Sequence, residues 1–295
     1  MKKETSLFHN YGNFEKVQVK ENIAPWDDSA NDGTAQYGKK IMRVLKKYSL
    51  LNRQSILKAL QLNNRNNWKT ERLPKTLKAL RRSGLVDMYQ MGGRPEDEQA
   101  LSVYQLSEDG FQYLENEKEI INPAVSIANT QECLTRLTLN QWHINLLYIL
   151  ENNVQNAFYD SFVVKDGKTV PSMVKYNRSG RTGEHKGLKE SISLFAYPAP
   201  HKEEYFEEFM LQIIASYEFL IEHPLYRPAI IILLCENMNH AAWVSWKLNK
   251  VKEMRPLNAF IYALDIMTKK EKMLSFLYSC DADEEGMVRS NVSLL

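Results

Sequence analysis

The chain has 295 residues, 44% of them hydrophobic and 25% charged, which suffices for two ordinary domains with separate cores, and its formal net charge is only +2. Its three cysteines, Cys133, Cys235 and Cys280, are odd in number and far apart with no CxxC pair, which excludes a disulfide framework or structural zinc and fits a reducing cytosol. The N-terminus lacks the apolar core of a signal peptide, and the longest apolar run, residues 229–235, is far below the roughly 20 residues that span a bilayer. A soluble, cytoplasmic protein with no membrane partner is expected.

Residues 1–35 have no helical or strand periodicity and contain the turn-forming stretch DDSANDGT, so an irregular leader is expected, with Phe8, Tyr11, Phe14 and Trp26 available to dock on the body. From Thr34 the pattern changes. Ile41, Met42, Val44, Leu45 and Tyr48 form the apolar stripe of a first helix, with Lys39, Lys40, Arg43, Lys46 and Lys47 outward. Leu50 and Leu51 enter a turn, and Ser55 is the expected N-cap of a short second helix with Ile56, Leu57 and Leu60 inward. The polar run 63–67 ends it. Trp68 is expected to pack at the start of the next helix, base stacking being its functional alternative.

The stretch 69–86, KTERLPKTLKALRRSGLV, is the one around which the chain is organised. Leu73, Leu77 and Leu80 fall at i, i+4 and i+7, so one helical face is apolar, while Lys75, Lys78 and Arg82 project onto the other. Pro74 must sit in the first turn, with Thr70 as the expected N-cap, and Gly84 supplies the stop. Two short strands follow, 85–90 and 101–106, around a Gly-Gly turn at Gly92 and Gly93, and Ser107 opens a further helix.

Charge is distributed unevenly. Residues 36–86 hold fourteen Lys and Arg against Glu71 alone, a net of +13, whereas residues 87–121 hold nine acids against two cations, a net of −7. Such asymmetry is the footprint of a face that meets a polyanion, hidden when the whole chain is averaged.

The run LKALRRSGLVDMYQMGGRPEDEQALSVYQLSEDGFQYLEN, with its leucine-spaced helix, Gly-Leu-Val exit, turn and Tyr-x-Leu-Ser-x-x-Gly return, resembles the winged helix-turn-helix pattern over residues 36–118. That resemblance implies an α+β domain whose third helix enters the major groove of duplex DNA. By position it implicates Lys69, Arg72, Lys75, Thr76, Lys78 and Arg82, with Arg94 in the wing. Glu96, Asp97 and Glu98 depart from the pattern, because acids at the wing tip repel phosphate. The fold itself does not name the target, since protein-binding modules share it.

A Pro-containing segment, 121–130, separates a second domain, so the expected division is a leader at 1–35, the DNA-binding domain at 36–122 and an α/β domain at 123–295. There, helices are expected at 131–139 and 141–152, and a hairpin at 157–164 and 169–176 around Asp166-Gly167. Pro171 makes the second of these an edge strand. A strand at 192–197, a helix at 205–223, a buried strand at 229–235, a helix at 239–251 and a strand at 259–264 follow, and strand-helix-strand of this size implies a parallel pair.

Hairpin, helix, strand, helix, strand resembles the core of the restriction-endonuclease-like fold, whose metal site needs an acid at the hairpin and a (D/E)-x-K on the next strand. Asp160 can take the first place and Lys175 the last, but Met173 stands where the second carboxylate belongs, and a thioether does not hold Mg²⁺. The domain therefore resembles a degenerate member of that fold, with no catalytic residue and no metal or other cofactor expected. The loop 179–187 lacks the pattern of a phosphate-binding loop, and the six histidines show no ligand spacing.

A winged helix joined to such a domain is similar to the replication-relaxation proteins of plasmids and conjugative elements. The expectation is a non-enzymatic, duplex DNA-binding regulator of transcription or of plasmid or mobile-element replication. Its rivals are a metal-dependent nuclease with a non-standard carboxylate set and a protein-binding winged-helix adaptor. A homodimer is expected, because one winged helix reads few base pairs and the helix at 205–223 carries a wide apolar face from Tyr205 to Ile221.

Overall fold

The computed structural model describes residues 14–19, 25–27, 34–62, 71–91, 101–114, 126–179, 189–235, 238–249, 259–263 and 277–279. It is a mixed α+β protein with two sheets, and it divides into two compact units, Met1–Asn140 and Gln141–Leu295. The division falls inside a helix, later than the expected 122/123. Among the described residues no helix is long and apolar enough to cross a membrane.

Unit 1 begins with a strand in the stretch expected to be irregular: β1 (Phe14–Lys16) pairs antiparallel with β3 (Val86–Met91), the hairpin partner of β4 (Leu101–Leu106), and Phe14 is buried. Trp26 also docks, lying so close to Gly38 that a Cβ there would overlap its ring. Phe8 and Tyr11 lie outside the described residues. Helix α1 (Thr34–Tyr48) buries Ile41, Met42, Leu45 and Tyr48 of the expected stripe and Tyr37 besides, while Val44 is half-buried. Lys46 is a correction: only 1% exposed, it sends its ammonium to the carbonyl oxygen of Leu114 at 3.2 Å instead of outward. Its apolar stem lies along the core while its head finds an acceptor.

Leu50 and Leu51 form a strand where a turn was expected. β2 (Leu50–Asn52) pairs with β4, and both leucines are buried. The N-cap of α2 (Arg53–Gln61) is Asn52, not Ser55: its side-chain oxygen accepts from the Ser55 amide at 2.8 Å, the third helical position, and Ser55 itself faces inward. After α3 (Arg72–Arg82) come β3 (Val86–Met91), β4 (Leu101–Leu106) and the short α4 (Glu108–Tyr113). All pairs in the sheet β1-β3-β4-β2 are antiparallel, with β3 and β4 in register from Val86↔Leu106 to Met91↔Leu101.

The junction between α3 and the hairpin is built from four neighbouring residues. Gly84 takes φ +75°, a left-handed conformation that a side chain disfavours, and the Leu85 amide reaches back to Leu80 O at 3.0 Å while Gly84 N bonds Arg81 O at 3.2 Å. This double closure ends the helix. Ser107 then joins the return: its hydroxyl donates to Gly84 O and accepts from the Gly110 amide at 3.0 Å, which caps α4. Gly110 must be glycine here, because a Cβ would overlap the carbonyl oxygen of Leu85.

Helix α5 (Thr130–Leu150) is one helix where two were expected, and Asn129 caps it by accepting from the Glu132 amide at 3.1 Å. Asn140, fully buried, continues it instead of breaking it, because its amide donates to Tyr48 O at 2.9 Å and Leu50 O at 2.7 Å. Those bonds answer two carbonyls at the end of α1 and start of β2, and they are why α5 up to Asn140 belongs to unit 1.

Unit 2 holds the sheet β10-β9-β8-β7-β6-β5. The hairpin of β5 (Val154–Val163) and β6 (Thr169–Ser179) turns at Asp166 and Gly167, both at positive φ, as their Asp-Gly signal requires. β6 is interior, not an edge, despite Pro171: it pairs with β5 on one side and with β7 (Lys189–Pro198) on the other. Pro171 escapes conflict because it faces the register shift between Tyr159 and Phe162 of β5, and the ladder with β7 begins only at Ser172. β8 (Ala229–Cys235) is parallel to β7 and to β9 (Ala259–Ala263), reached through α6 (Phe206–Glu222) and α7 (Met238–Asn249), while β10 (Leu277–Ser279) returns antiparallel. The expected strand-helix-strand pairs are present. One sheet face packs Met173, Phe195 and Leu233 against Phe209, Ile213 and Val244 of those helices.

At the margin of this core the rings of His201 and His240 stack at 4.1 Å, and His240 Nε2 donates to Pro200 O at 3.0 Å. Burial pushes both imidazoles down, His201 to about 2 with help from its neighbour, His240 to about 4.

Two predictions follow from this architecture. Replacing Ser107 with Ala should cost about 1 to 2 kcal/mol and Gly110 with Ala at least about 2 kcal/mol in denaturant unfolding of the full chain, since the first removes a cap and the second forces backbone apart. The two histidines bind protons in the unfolded chain below about pH 6.5 and stay neutral when folded until far lower pH, so the stability they hold is complete above neutrality and is lost as pH falls. Between about pH 7.5 and 5.5 the loss should be on the order of 1 kcal/mol for each histidine, and His240→Asn should remove about half of the total, since His201 stays buried.

Candidate nucleic-acid interface

Helix α3 owes its orientation to Leu73, Leu77 and Leu80, all buried, which turn the remaining arc of the helix to solvent. Pro74 sits in the first turn, where its missing N–H breaks no helical bond. Glu71 occupies the N-cap position without a side-chain cap bond, and the expected cap, Thr70, lies outside the described residues. On the solvent arc Arg72, Lys75 and Lys78 are exposed and Arg82 is half-buried. From Arg72 to Arg82 the axial rise is about 15 Å. The first turn brings no acid to this arc beyond Glu71, and two arginines close the last turn, where the helix dipole favours cations.

Of the seven residues implicated from sequence, four therefore share one arc of the helix, Arg72, Lys75 and Lys78 exposed and Arg82 half-buried. Thr76 does not. It is 2% exposed, and its hydroxyl donates to Arg72 O at 3.1 Å, one turn back, so it faces the core with its polar atom satisfied inside the helix. Lys69 and Arg94 lie outside the described residues, as do Trp68 and the acidic tip at 96–98.

Arg81 is the cation the sequence left out, and it has a different task. It lies on the flank of α3, and its Nη2 donates to Val17 O of the leader at 3.2 Å. Only the three residues of β1 could have signalled this contact, too few for any periodicity to show. The other cations of unit 1 are less concentrated than their number suggests. Lys39 lies over the ring of Tyr113 at 5.6 Å and Lys47 over Tyr48 at 5.3 Å, Lys46 is buried, and Arg53 is exposed on α2.

Among the described residues of unit 2 no helix carries a comparable arc. Lys175, the lysine weighed for a nuclease site, donates to Leu225 O at 2.8 Å, and Met173 is fully buried in the core two residues before it. Asp160 falls within the register shift of β5. Among the described residues no three His, Cys, Asp or Glu converge as metal ligands would. The loop at 180–187 lies outside the described residues. On the second sheet face His143 Nδ1 and Ser172 Oγ share a hydrogen bond of 2.6 Å beside the ring of Tyr159. Both His143 and Ser172 are buried, which makes the pair a satisfied core contact.

Comparison of the chain with protein-family models, curated proteins and solved structures finds no match, so a functional assignment rests on the residues themselves.

Proposed function

We propose that the chain is a non-enzymatic, cytoplasmic duplex DNA-binding protein whose unit 1 is a winged helix presenting α3 to the major groove, and that it regulates transcription or the replication of a plasmid or mobile element. The observation that carries this reading is the cationic arc of Arg72, Lys75 and Lys78, all exposed, with Arg82 half-buried beside them, on a helix whose opposite face is locked by leucines. Cations on a rigid element are held where phosphates can meet them without loss of side-chain order elsewhere, and a helix is the element a major groove admits. The element order helix, strand, helix, helix, strand, strand supports the winged-helix part, with β3 and β4 as the wing's stem.

Unit 2 is assigned to partner binding or self-association, and against nuclease chemistry, because the place of the second carboxylate is an apolar core position at Met173. Pairing of two copies remains part of the proposal, since it would set two half-sites on one two-fold axis. Helix α6 contributes less to it than its composition suggests: Phe206, Phe209, Met210, Ile213 and Leu220 are in the core, leaving Tyr205, Leu211 and Ile221 exposed.

The affinity of the full chain for random duplex should fall linearly on a log–log plot against salt, with a slope of about −0.9 per phosphate neutralised. Lys75→Ala and Lys78→Ala should each make that slope shallower by about one phosphate, whereas Thr76→Val should leave it unchanged. A flat response of the unaltered chain between low and physiological salt would remove the electrostatic basis of the proposal.

A further inference from the structure

Helix α3 is held from outside as well as from beneath. The leader crosses its flank in two pieces, tied to three different elements. β1 adds to the edge of β3 with Phe14 opposite Met91 and Lys16 opposite Tyr89, and the Val17 amide continues the pairing onto Met88 O at 2.9 Å. Lys16 pairs with Asp87 of β3 at 2.7 Å. Arg81 of α3 binds Val17 O. Trp26 fills the space that a side chain at position 38 of α1 would need, and Leu80 of α3 adjoins the same spot.

We propose that this leader is a strap that sets the bearing of α3, with Arg81 as the positioning residue that fastens it, so that sequence preference depends on a segment outside the reading helix. The proposal rests on the DNA-binding function above. Its physical basis is leverage. The leader's ties act on the last turn of α3, through Leu80 and Arg81, while the first turn is held from beneath by Leu73 and its N-cap position has no side-chain bond. A tilt of about 10° about that last turn moves Arg72, about 15 Å away, by roughly 2.5 Å. Base-edge contacts require placement to about 0.5 Å, whereas attraction between cations and phosphates declines only over a Debye length of about 10 Å. Loosening the strap therefore costs sequence preference and spares non-specific affinity.

The test uses the full chain with Arg81→Ala, Arg81→Lys, Trp26→Ala and the Arg81→Ala/Trp26→Ala pair. Exchange of the Val17 amide is followed without DNA, and binding is followed on random duplex and on a duplex selected from a random pool. Both single alanine variants should speed Val17 exchange by roughly tenfold, the loss of one charge-assisted bond or its equivalent in packing. Each should lower the ratio of selected to random affinity by about tenfold with the salt slope unchanged, and the pair should do little more than either alone, because both release one strap. Arg81→Lys, which keeps the charge and a donor for the single bond to Val17 O, should restore much of the exchange protection and of the affinity ratio lost in Arg81→Ala, and failure of that rescue overturns the fastening role of the bond. Unchanged Val17 exchange in Arg81→Ala overturns the strap whatever DNA does. A slope shallower by about one phosphate shows Arg81 on the DNA itself and overturns its positioning role. Absence of duplex binding by the unaltered chain overturns the link to sequence preference together with the DNA-binding function, and is visible before any variant is made.

Discussion

The double hydrogen bond that closes α3 at Gly84, and the Ser107 hydroxyl that grips the same turn, is the constraint on which unit 1 depends. A helix that ended one residue earlier or later would turn its cations by about 100° and lose its leucine face from the core. The left-handed Gly84 redirects the chain into β3, the register of β3 with β4 returns it to Ser107, and Ser107 ties the return back to the turn where it began. Gly110 permits that closure, since any larger residue meets the Leu85 carbonyl. Local chain chemistry, hairpin register and helix orientation thus converge on one small junction, and the cationic arc is its outward expression.

Unit 2 follows a different logic. Its interior strand β8 is apolar on both faces, as is β7 from Leu194 to Tyr197, the pattern of parallel strands with covered faces, and two crossover helices supply one cover. Three pairs of polar groups enter this interior, Tyr197 with Ser216, His143 with Ser172 and His201 with His240, while the hydroxyls of Ser193 and Ser245 are buried singly. Burial raises the Tyr197 phenol above its ordinary range and lowers both stacked imidazoles, so these groups are neutral at physiological pH and serve packing. The same core takes the Met173 position at which the metal site of a restriction-endonuclease-like fold would need an acid.

Features with a strong local cause were legible in the sequence. The leucine spacing of α3, its Gly84 stop, the Asp166-Gly167 turn and the apolar run of β8 each follow from a few adjacent residues, and each stands where it was expected. Features with a distant cause were not. Asn140 reads as a helix breaker until its amide finds Tyr48 and Leu50, some ninety residues away in sequence. Lys46 reads as surface until its long stem brings the ammonium to Leu114, and Thr76 reads as a DNA contact until its hydroxyl turns back on Arg72. β1 and β2, three residues each, are too short for periodicity and exist because β3 and β4 offer open edges. In the candidate interface the exposed cations were legible because charge and helical spacing are local, while the role of Arg81 was not, because its partner lies in the leader.

The central claim, that α3 is the surface that meets duplex DNA, is tested most directly by placing a photoreactive residue at position 78 or, separately, at position 211, which is exposed on α6 of unit 2. Each full-length variant is irradiated on a saturating random duplex at low salt. The account predicts a protein–DNA cross-link from position 78 and none from position 211. Cross-linking from position 211 alone, or from neither position while the duplex remains bound, would contradict it.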